Sequence, residues 1–228
     1  MLIAEVGQNW MGEMTKARAL IEFAKENGAH LVKFQLYDYN VLYKGHPEVP
    51  DVALSFEQAE GLFEYGQEIG IEVFFSVFDL ERIKWCEHIG VKRYKIASRS
   101  RKDESLIQAL VKTGKPLIIS MPFGLGSPYL YGVEVKWDTL WCAPLYPSPA
   151  IAFSFPEIDF RHTYQGISDH SIGLDVAKIA LSRGAKIIEK HLALNHETGV
   201  DAPWSMTPSE LKELRRFYDV IQELPELG

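Results

Sequence analysis

The residues best suited to chemistry stand at the ends of two apolar segments of the chain. The first segment ends in the run Ser168-Asp169-His170, and the second ends in Glu189-Lys190-His191. Between them, apolar residues recur with helical spacing at Leu174, Ala177 and Leu181. Two strands joined by a helix form a right-handed parallel unit, and both strands then end at the same edge of the sheet. The sequence therefore predicts that the two polar runs are neighbours in space.

The alternation of side chains along a strand decides which of these groups share a face. It places Ser168 and His170 on one face of their strand, and Glu189 and His191 on one face of theirs. Two imidazoles and a carboxylate at adjacent strand ends are suitable ligands for a divalent metal ion. A plainer interpretation stays open from spacing alone, in which two unrelated histidines begin loops and bond to the backbone.

The overall composition is that of an ordinary globular protein. The 228 residues are 46% hydrophobic and 24% charged, enough for one large barrel or for one to two smaller domains. The net charge of -7, with both signs interspersed, argues against nucleic acid as a general partner. Cys86 and Cys142 belong to no cysteine motif, which suits a reducing cytoplasm. No apolar run approaches the roughly 20 residues that span a membrane, and the first residues lack the basic region of a signal peptide. We therefore predict a cytoplasmic protein without membrane partners.

Periodic segments along the chain predict eight strands, nearly all separated by helices. The strands are expected near residues 2–7, 30–36, 71–78, 93–98, 116–120, 139–143, 166–170 and 187–191. Residues 122–137 are rich in Gly, Pro and Tyr without a helical period, so the helix after the fifth strand is predicted to be short or missing. An α/β fold, the (β/α)8 TIM barrel, closes this pattern most simply, as a single domain over residues 1–228. A doubly wound open sheet is the alternative.

In a barrel of this kind the active site lies at the carboxyl ends of the strands. The polar residues predicted at those ends are Glu5, Asn9, Lys33, Gln35, Ser76, Lys95, Ser98, Ser120, Tyr146, Ser168, His170, Glu189 and His191. Two lysines buried near the mouth are costly unless anions meet them. A small anionic ligand, phosphate above all, would serve both lysines. For each lysine by itself, a salt bridge to a carboxylate such as Glu5 or Glu189 is an equal alternative.

Six of these segments stand in the order that is found in one enzyme family. They are residues 5–9 (EVGQN), 32–35 (VKFQ), 94–98 (YKIAS), 146–149 (YPSP), 166–170 (GISDH) and 188–191 (IEKH). With these motifs the chain resembles the catalytic barrel of the sialic acid synthases, from the first strand to the last helix. Residues 199–201 and 204–208 also resemble the family's run after the eighth strand.

The resemblance implies a condensation of phosphoenolpyruvate with the aldehyde form of an N-acyl amino sugar, typically N-acetylmannosamine. The product is a nonulosonic acid, and phosphate leaves by C–O cleavage. By the same resemblance, His170 and His191 would bind a divalent metal ion that polarises the aldehyde oxygen. Mn2+ is expected first, with Mg2+ or Co2+ as alternatives.

The resemblance also implies roles for the other strand-end residues. Glu5, Gln35 and Glu189 would be the catalytic residues. Lys33, Lys95, Ser98, Ser120 and Ser168 would hold phosphoenolpyruvate. Tyr146 and Asp201 would face the acceptor sugar. Asn9 and Ser76 join the substrate-binding candidates because of their strand-end positions.

Several positions depart from the family's pattern. Trp10 and Met11 follow the first strand where His and then Asn or Glu are usual. Arg99-Ser100 replaces a Gly-Glu pair after Ser98, and the third strand ends in Val77-Phe78 without the usual hydroxyl. The family's C-terminal antifreeze-like domain is not expected in residues 1–228, and a homodimer, which the family implies, would lack that domain's contact. Two other functions stay open, namely a metal-dependent keto-acid lyase or aldolase, and a catalytically silent barrel that serves as a binding or scaffold subunit.

Overall fold

Eight parallel strands form a closed barrel in the computed structural model, which describes residues 1–44, 46, 50–122, 137–153, 155 and 158–224. In chain order the strands are β1 (Leu2–Glu5), β2 (Leu31–Leu36), β3 (Glu72–Val77), β4 (Tyr94–Ile96), β5 (Leu117–Met121), β6 (Trp137–Cys142), β7 (Gly166–Asp169) and β8 (Ile187–His191). Each strand pairs with its neighbours in sequence, and β1 closes the barrel against β8, where Glu5 lies opposite His191. The predicted (β/α)8 barrel is confirmed, and the open sheet is wrong.

Helices follow most of the strands and pack around the barrel. In the described residues they are α1 (Met14–Glu26), α2 (Tyr39–Leu42), α3 (Phe56–Ile69), α4 (Leu80–Ile89), α5 (Glu104–Lys112), α6 (Asp175–Ser182) and α7 (Pro208–Glu223). The prediction of a short or missing helix after β5 concerns a segment whose residues 123–136 lie outside the described part of the chain. Among the described residues, no helix has both the length and the apolar composition needed to cross a lipid bilayer.

Local signals determine where several helices begin. Ser55 and Gln58 form a capping box at the start of α3, and Thr207 and Glu210 form another at the start of α7. The carboxylate of Asp103 accepts a backbone hydrogen bond at the start of α5. These side chains accept hydrogen bonds from backbone N–H groups that a helix cannot pair internally. Each helix therefore begins at a defined residue.

The interior of the barrel changes from apolar to polar along the strands. Near the amino-terminal end it is filled by Ile3, Leu31, Phe74, Ile118, Leu140 and Ile187. Two residues further along the same strands stand Glu5, Lys33, Ser76, Ser120, Cys142 and Glu189. Because strand side chains alternate with a period of two, each of these residues shares the inner face with the apolar residue below it. The apolar layer therefore supports a polar layer at the carboxyl end.

The fourth strand is shorter than the sequence predicted. β4 ends at Ile96, and a 3₁₀ turn, Ser98–Ser100, follows it. The turn is closed by a hydrogen bond of 2.9 Å from the backbone N–H of Ser100 to the carbonyl oxygen of Ala97. As a result, Ser98 and the residues after it lie at the mouth of the barrel and not inside a strand.

Candidate active site

A cavity of about 570 Å³ opens at the carboxyl end of the barrel. With the exception of Asn9, every site residue predicted from the sequence lines this cavity: Glu5, Lys33, Gln35, Ser76, Lys95, Ser98, Ser120, Tyr146, Ser168, His170, Glu189, His191 and Asp201. Strand alternation above the apolar layer accounts for most of this convergence.

Asn9 lies behind the loop that follows β8, and it does not reach the cavity. Its side-chain nitrogen donates to the carbonyl oxygen of Leu192 and to Oγ of Ser205, both at 2.9 Å. Its Oδ1 accepts from the backbone N–H of Asp201, also at 2.9 Å. The structure therefore does not bring Asn9 together with the other candidates in the cavity, and its role in substrate binding stays a prediction. Because its amide is occupied by the loop, Asn9 shapes the segment that carries Asp201.

The centre of the cavity is a triad of ions around Lys33. The ammonium nitrogen of Lys33 lies 3.0 Å from Oε2 of Glu5 and 2.8 Å from Oε2 of Glu189. All three side chains are 5% exposed or less. The anions that meet Lys33 in this structure are therefore the protein's own carboxylates, which is the alternative that the sequence left open.

The two carboxylates of this triad differ in their protonation. Burial raises the pKa of Glu5 to about 7, against the opposing charge of Lys33. Burial acts on Glu189 in the same direction, but the ammonium groups of Lys33 and Lys95 outweigh it and hold the pKa of Glu189 well below its usual range. Near neutral pH, Glu5 can therefore gain or lose a proton, whereas Glu189 remains an anion.

Lys95 has weaker ionic partners than Lys33. Its ammonium group donates to Oγ of Ser120 at 2.7 Å and to the carbonyl oxygen of Ile96 at 3.1 Å, and it lies 3.6 Å from Oε1 of Glu189. Burial lowers the pKa of Lys95 to about 8, although the charge of Glu189 opposes this change. A bound anion would stabilise the ammonium form, so Lys95 is well suited to receive one.

Neutral polar groups orient the two carboxylates. Oγ of Ser168 donates to Oε1 of Glu189 at 2.8 Å, and the amide nitrogen of Gln35 donates to Oε1 of Glu5 at 3.0 Å. The hydroxyl of Ser76 points to a backbone carbonyl of β2 at 3.4 Å. Ser168 was expected to hold phosphoenolpyruvate. A ligand at Ser168 would have to compete with Glu189 for the hydroxyl proton.

His170 and His191 lie side by side at the ends of β7 and β8. Their ring centroids are 5.5 Å apart. Burial and the neighbouring His191 lower the pKa of His170 far below its usual range, and burial lowers the pKa of His191 to about 3. Both rings are therefore neutral at physiological pH, which is the form that binds a metal ion.

The two rings fit a divalent ion as a pair of donors. Nδ1 of His191 is buried without a hydrogen-bond partner in the described chain, although Oδ2 of Asp201 lies 3.4 Å away. No set of three or more His, Cys, Asp or Glu side chains among the described residues forms a metal-binding group. An ion held by the two imidazoles would take its other ligands from water or substrate, as in an open catalytic site.

The two residues expected to face the acceptor sugar lie beside the histidines. The ring of Tyr146 packs against that of His170, with a centroid distance of 4.2 Å. Oδ2 of Asp201 lies beside His191 and accepts from the backbone N–H of Gln8 at 3.4 Å. Burial raises the pKa of Asp201 to about 6. Both side chains are therefore within reach of a molecule bound at the histidine pair.

Some cavity residues were not selected from the sequence, among them Gln8, Tyr43, Arg99, Arg101 and Cys142. Cys142 stands on the inner face of β6, so strand alternation could have identified it. Arg99 and Arg101 lie in and just after the turn that follows β4, and they could have been found by the strand-end rule. Tyr43 follows α2, and no local pattern predicts that this part of the loop after β2 returns to the mouth of the barrel.

Comparisons with known proteins agree with the fold. A sequence model described as the NeuB family matches residues 20–127 and 134–224. The chain is 29% identical to the N,N'-diacetyllegionaminic acid synthase of Legionella pneumophila, over 93% of this chain and 69% of that protein. It is 27% identical to the N-acetylneuraminate-9-phosphate synthase of Mus musculus, over 97% of this chain and 70% of that protein. A crystal structure of N-acetylneuraminic acid (sialic acid) synthetase from Leptospira borgpetersenii is similar with a TM-score of 0.88 at 26% identity, covering 100% of this chain and 86% of that one.

Proposed function

Because this chain belongs to the NeuB family, we propose that it condenses phosphoenolpyruvate with the aldehyde form of an N-acyl amino sugar similar to N-acetylmannosamine. A bond forms between C3 of phosphoenolpyruvate and the aldehyde carbon, water adds at C2, and phosphate leaves C2 by C–O cleavage. The product is a nonulosonic acid. Two relatives named as synthases of legionaminic and neuraminic acid derivatives support this class of product.

The observation that carries this proposal is the pair of carboxylates on either side of Lys33, at 3.0 and 2.8 Å. The aldehyde oxygen gains a proton in this reaction, and the attacking water loses one. A carboxyl group with a pKa of about 7, as Glu5 has, can donate the first proton and accept the second. Glu189 remains negative and would stabilise the positive charge that develops at C2.

Phosphoenolpyruvate would be held by the lysines together with Ser98 and Ser120. Both lysines already face protein carboxylates, so the ligand must compete with them. Protonation of Glu5 would remove one of these negative charges and free part of Lys33 for the ligand. Lys95 would be more available to the ligand than Lys33, because its ammonium nitrogen lies 3.6 Å from the nearest oxygen of Glu189.

The acceptor sugar would lie on the opposite side of the cavity, near the histidines. His170 and His191 would hold the divalent ion, which when bound polarises the aldehyde oxygen as a Lewis acid. Tyr146 and Asp201 would contact the sugar beside them. A cavity of about 570 Å³ is of the size that accommodates such small molecules.

A phosphate-release assay with phosphoenolpyruvate, Mn2+ and a panel of amino sugars tests this function. We expect release that depends on both the metal and the sugar. Turnover of a pyruvate-type substrate without phosphate release would instead identify the keto-acid lyase or aldolase. Neither activity in a folded protein that binds the metal would leave the silent barrel as the correct function.

The metal, the assembly and the location stay predictions from the sequence. The predicted metal is Mn2+ in preference to Mg2+ or Co2+, the predicted assembly is a homodimer, and the predicted location is the cytoplasm.

A further inference from the structure

Two arginines line the cavity on the side of β4. Arg99 lies in the 3₁₀ turn after that strand, and Arg101 is the residue that follows the turn. One terminal nitrogen of Arg101 donates to the carbonyl oxygen of Ser98 at 2.7 Å, which holds the guanidinium in place. The Nε of Arg101 is buried and has no hydrogen-bond partner in the described part of the chain. A desolvated donor of this kind is costly unless a ligand satisfies it.

The arginines differ from the lysines of the same cavity in having no carboxylate partner. Lys33 contacts Glu5 and Glu189, and Lys95 lies near Glu189 as well. Within the described residues, Arg99 and Arg101 form no ion pair. The cavity arginines that have no ion-pair partner in the described chain therefore follow the strand that carries Lys95.

A third donor of the same cavity is the hydroxyl group of Tyr43. The hydroxyl oxygen of Tyr43 accepts a hydrogen bond of 2.9 Å from the side-chain nitrogen of Gln8, so its own proton is available to a ligand. Burial raises the pKa of Tyr43, and the positive charge of Arg99 opposes that rise. The loop after β2 and the turn after β4 thus contribute a hydroxyl and a guanidinium group to one cavity.

We propose that Arg99, Arg101 and the hydroxyl of Tyr43 form an oxyanion subsite that binds a phosphoryl group, separate from the lysine pair. The planar guanidinium fork matches two oxygens of a phosphoryl group, and its charge is permanent. This subsite rests on the proposed function for the source of the group. The phosphoryl group belongs either to phosphoenolpyruvate or to an acceptor sugar that carries its own phosphate.

Calorimetric titration of the full chain separates the two sources. The ligands are phosphoenolpyruvate, N-acetylmannosamine, and N-acetylmannosamine with a phosphate on its primary hydroxyl. We expect Arg99→Ala to weaken binding of one phosphoryl ligand about 10-fold, and Arg99→Ala with Arg101→Ala to weaken it about 100-fold, because each removed contact is charged. A loss confined to phosphoenolpyruvate assigns the subsite to the donor, and a loss confined to the phosphorylated sugar assigns it to the acceptor.

Two further variants guard against a merely structural effect. Arg216→Ala removes the same charge from the exposed side of α7 and should leave all affinities within twofold. Arg101→Lys keeps a donor for the carbonyl oxygen of Ser98 but loses the fork, so a partial loss is expected. If the double variant fails to fold, Arg99→Ala carries the test by itself, because Arg99 is an exposed side chain.

The proposal is overturned if both phosphoryl ligands bind the arginine variants within twofold of the unchanged protein. It is also overturned if the unchanged protein binds neither phosphoryl ligand at millimolar concentration. Arginine-dependent binding without any condensation would retain the subsite and reject the proposed function. Condensation together with binding that does not depend on the arginines would retain the proposed function and reject the subsite.

Discussion

The ammonium group of Lys190 lies 3.1 Å from Oδ2 of Asp169, and both side chains are completely buried. The two residues are direct partners across the β7–β8 ladder. Lys190 also donates to the carbonyl oxygen of Ser171, whose N–H bonds to Asp169 at 2.8 Å. Each member of the pair immediately precedes one of the two cavity histidines in the sequence. The ion pair therefore ties together the two strand ends that carry the imidazoles.

Breaking this ion pair should destabilise the protein strongly. We expect Lys190→Met to lower the free energy of unfolding by about 3–5 kcal/mol, because it leaves a buried carboxylate without its cation. Urea unfolding followed by circular dichroism measures the change. Lys84→Met is the matched control, since Lys84 pairs with Glu81 on the surface and its loss should change the free energy of unfolding little. A loss at Lys190 no larger than that at Lys84 would contradict the structural role.

The two carboxylates beside Lys33 should respond differently to the same substitution. Glu189→Gln removes a permanent anion from between two lysines and should cost about 3–5 kcal/mol of unfolding free energy. Glu5→Gln should cost much less at neutral pH, because glutamine resembles the protonated acid that Glu5 already forms in part. Denaturant unfolding of both variants in one buffer makes the comparison. Equal losses would show that Glu5 is as firmly ionised as Glu189.

Binding of phosphoenolpyruvate should take up a proton at alkaline pH. In the free protein, burial lowers the pKa of Lys95 to about 8, so its ammonium group loses a proton as the pH rises through that value. A bound anion favours the charged form and raises the pKa again. Binding at about pH 9 should therefore absorb close to one proton, and affinity should fall as the pH rises above about 8.

Calorimetry in two buffers of different ionisation enthalpy measures this proton uptake. Lys95→Arg is the control, because arginine stays charged throughout this range and should abolish the uptake. If the unchanged protein and Lys95→Arg absorb the same number of protons, Lys95 is not the group that titrates.

Metal binding and phosphoenolpyruvate binding should be separable by mutation. His170→Ala and His191→Ala should each weaken Mn2+ binding by about 10-fold or more, because each removes one of two imidazole donors. Lys33→Ala or Lys95→Ala should abolish phosphoenolpyruvate binding and leave the affinity for Mn2+ nearly unchanged. Electron paramagnetic resonance of free Mn2+ measures the first affinity, and calorimetry measures the second. Parallel loss of both in the lysine variants would indicate a general structural role.

Much of the fold could be predicted from local patterns. The strand and helix periods predicted the barrel, and strand alternation predicted that Ser168 would share a face with His170, and Glu189 with His191. These predictions succeeded because they depend on short-range geometry and on one closure rule. Asn9 shows the limit of that reasoning, since a position at a strand end does not determine which way the side chain turns. Tyr43 shows it again, because its loop is positioned by contacts with distant residues.

By itself, the sequence determined the eight strands, the apolar layer and the polar layer above it, because a period of two along each strand assigns every residue to one face. Only the tertiary structure decided the charge states of the cavity. Whether Lys33 faces a ligand or the two carboxylates, and which of Glu5 and Glu189 can hold a proton, depends on distances between residues of different strands and on their common burial. Electrostatic energies change steeply with the distance between the charges and with the exclusion of water. Both are set only when the barrel closes.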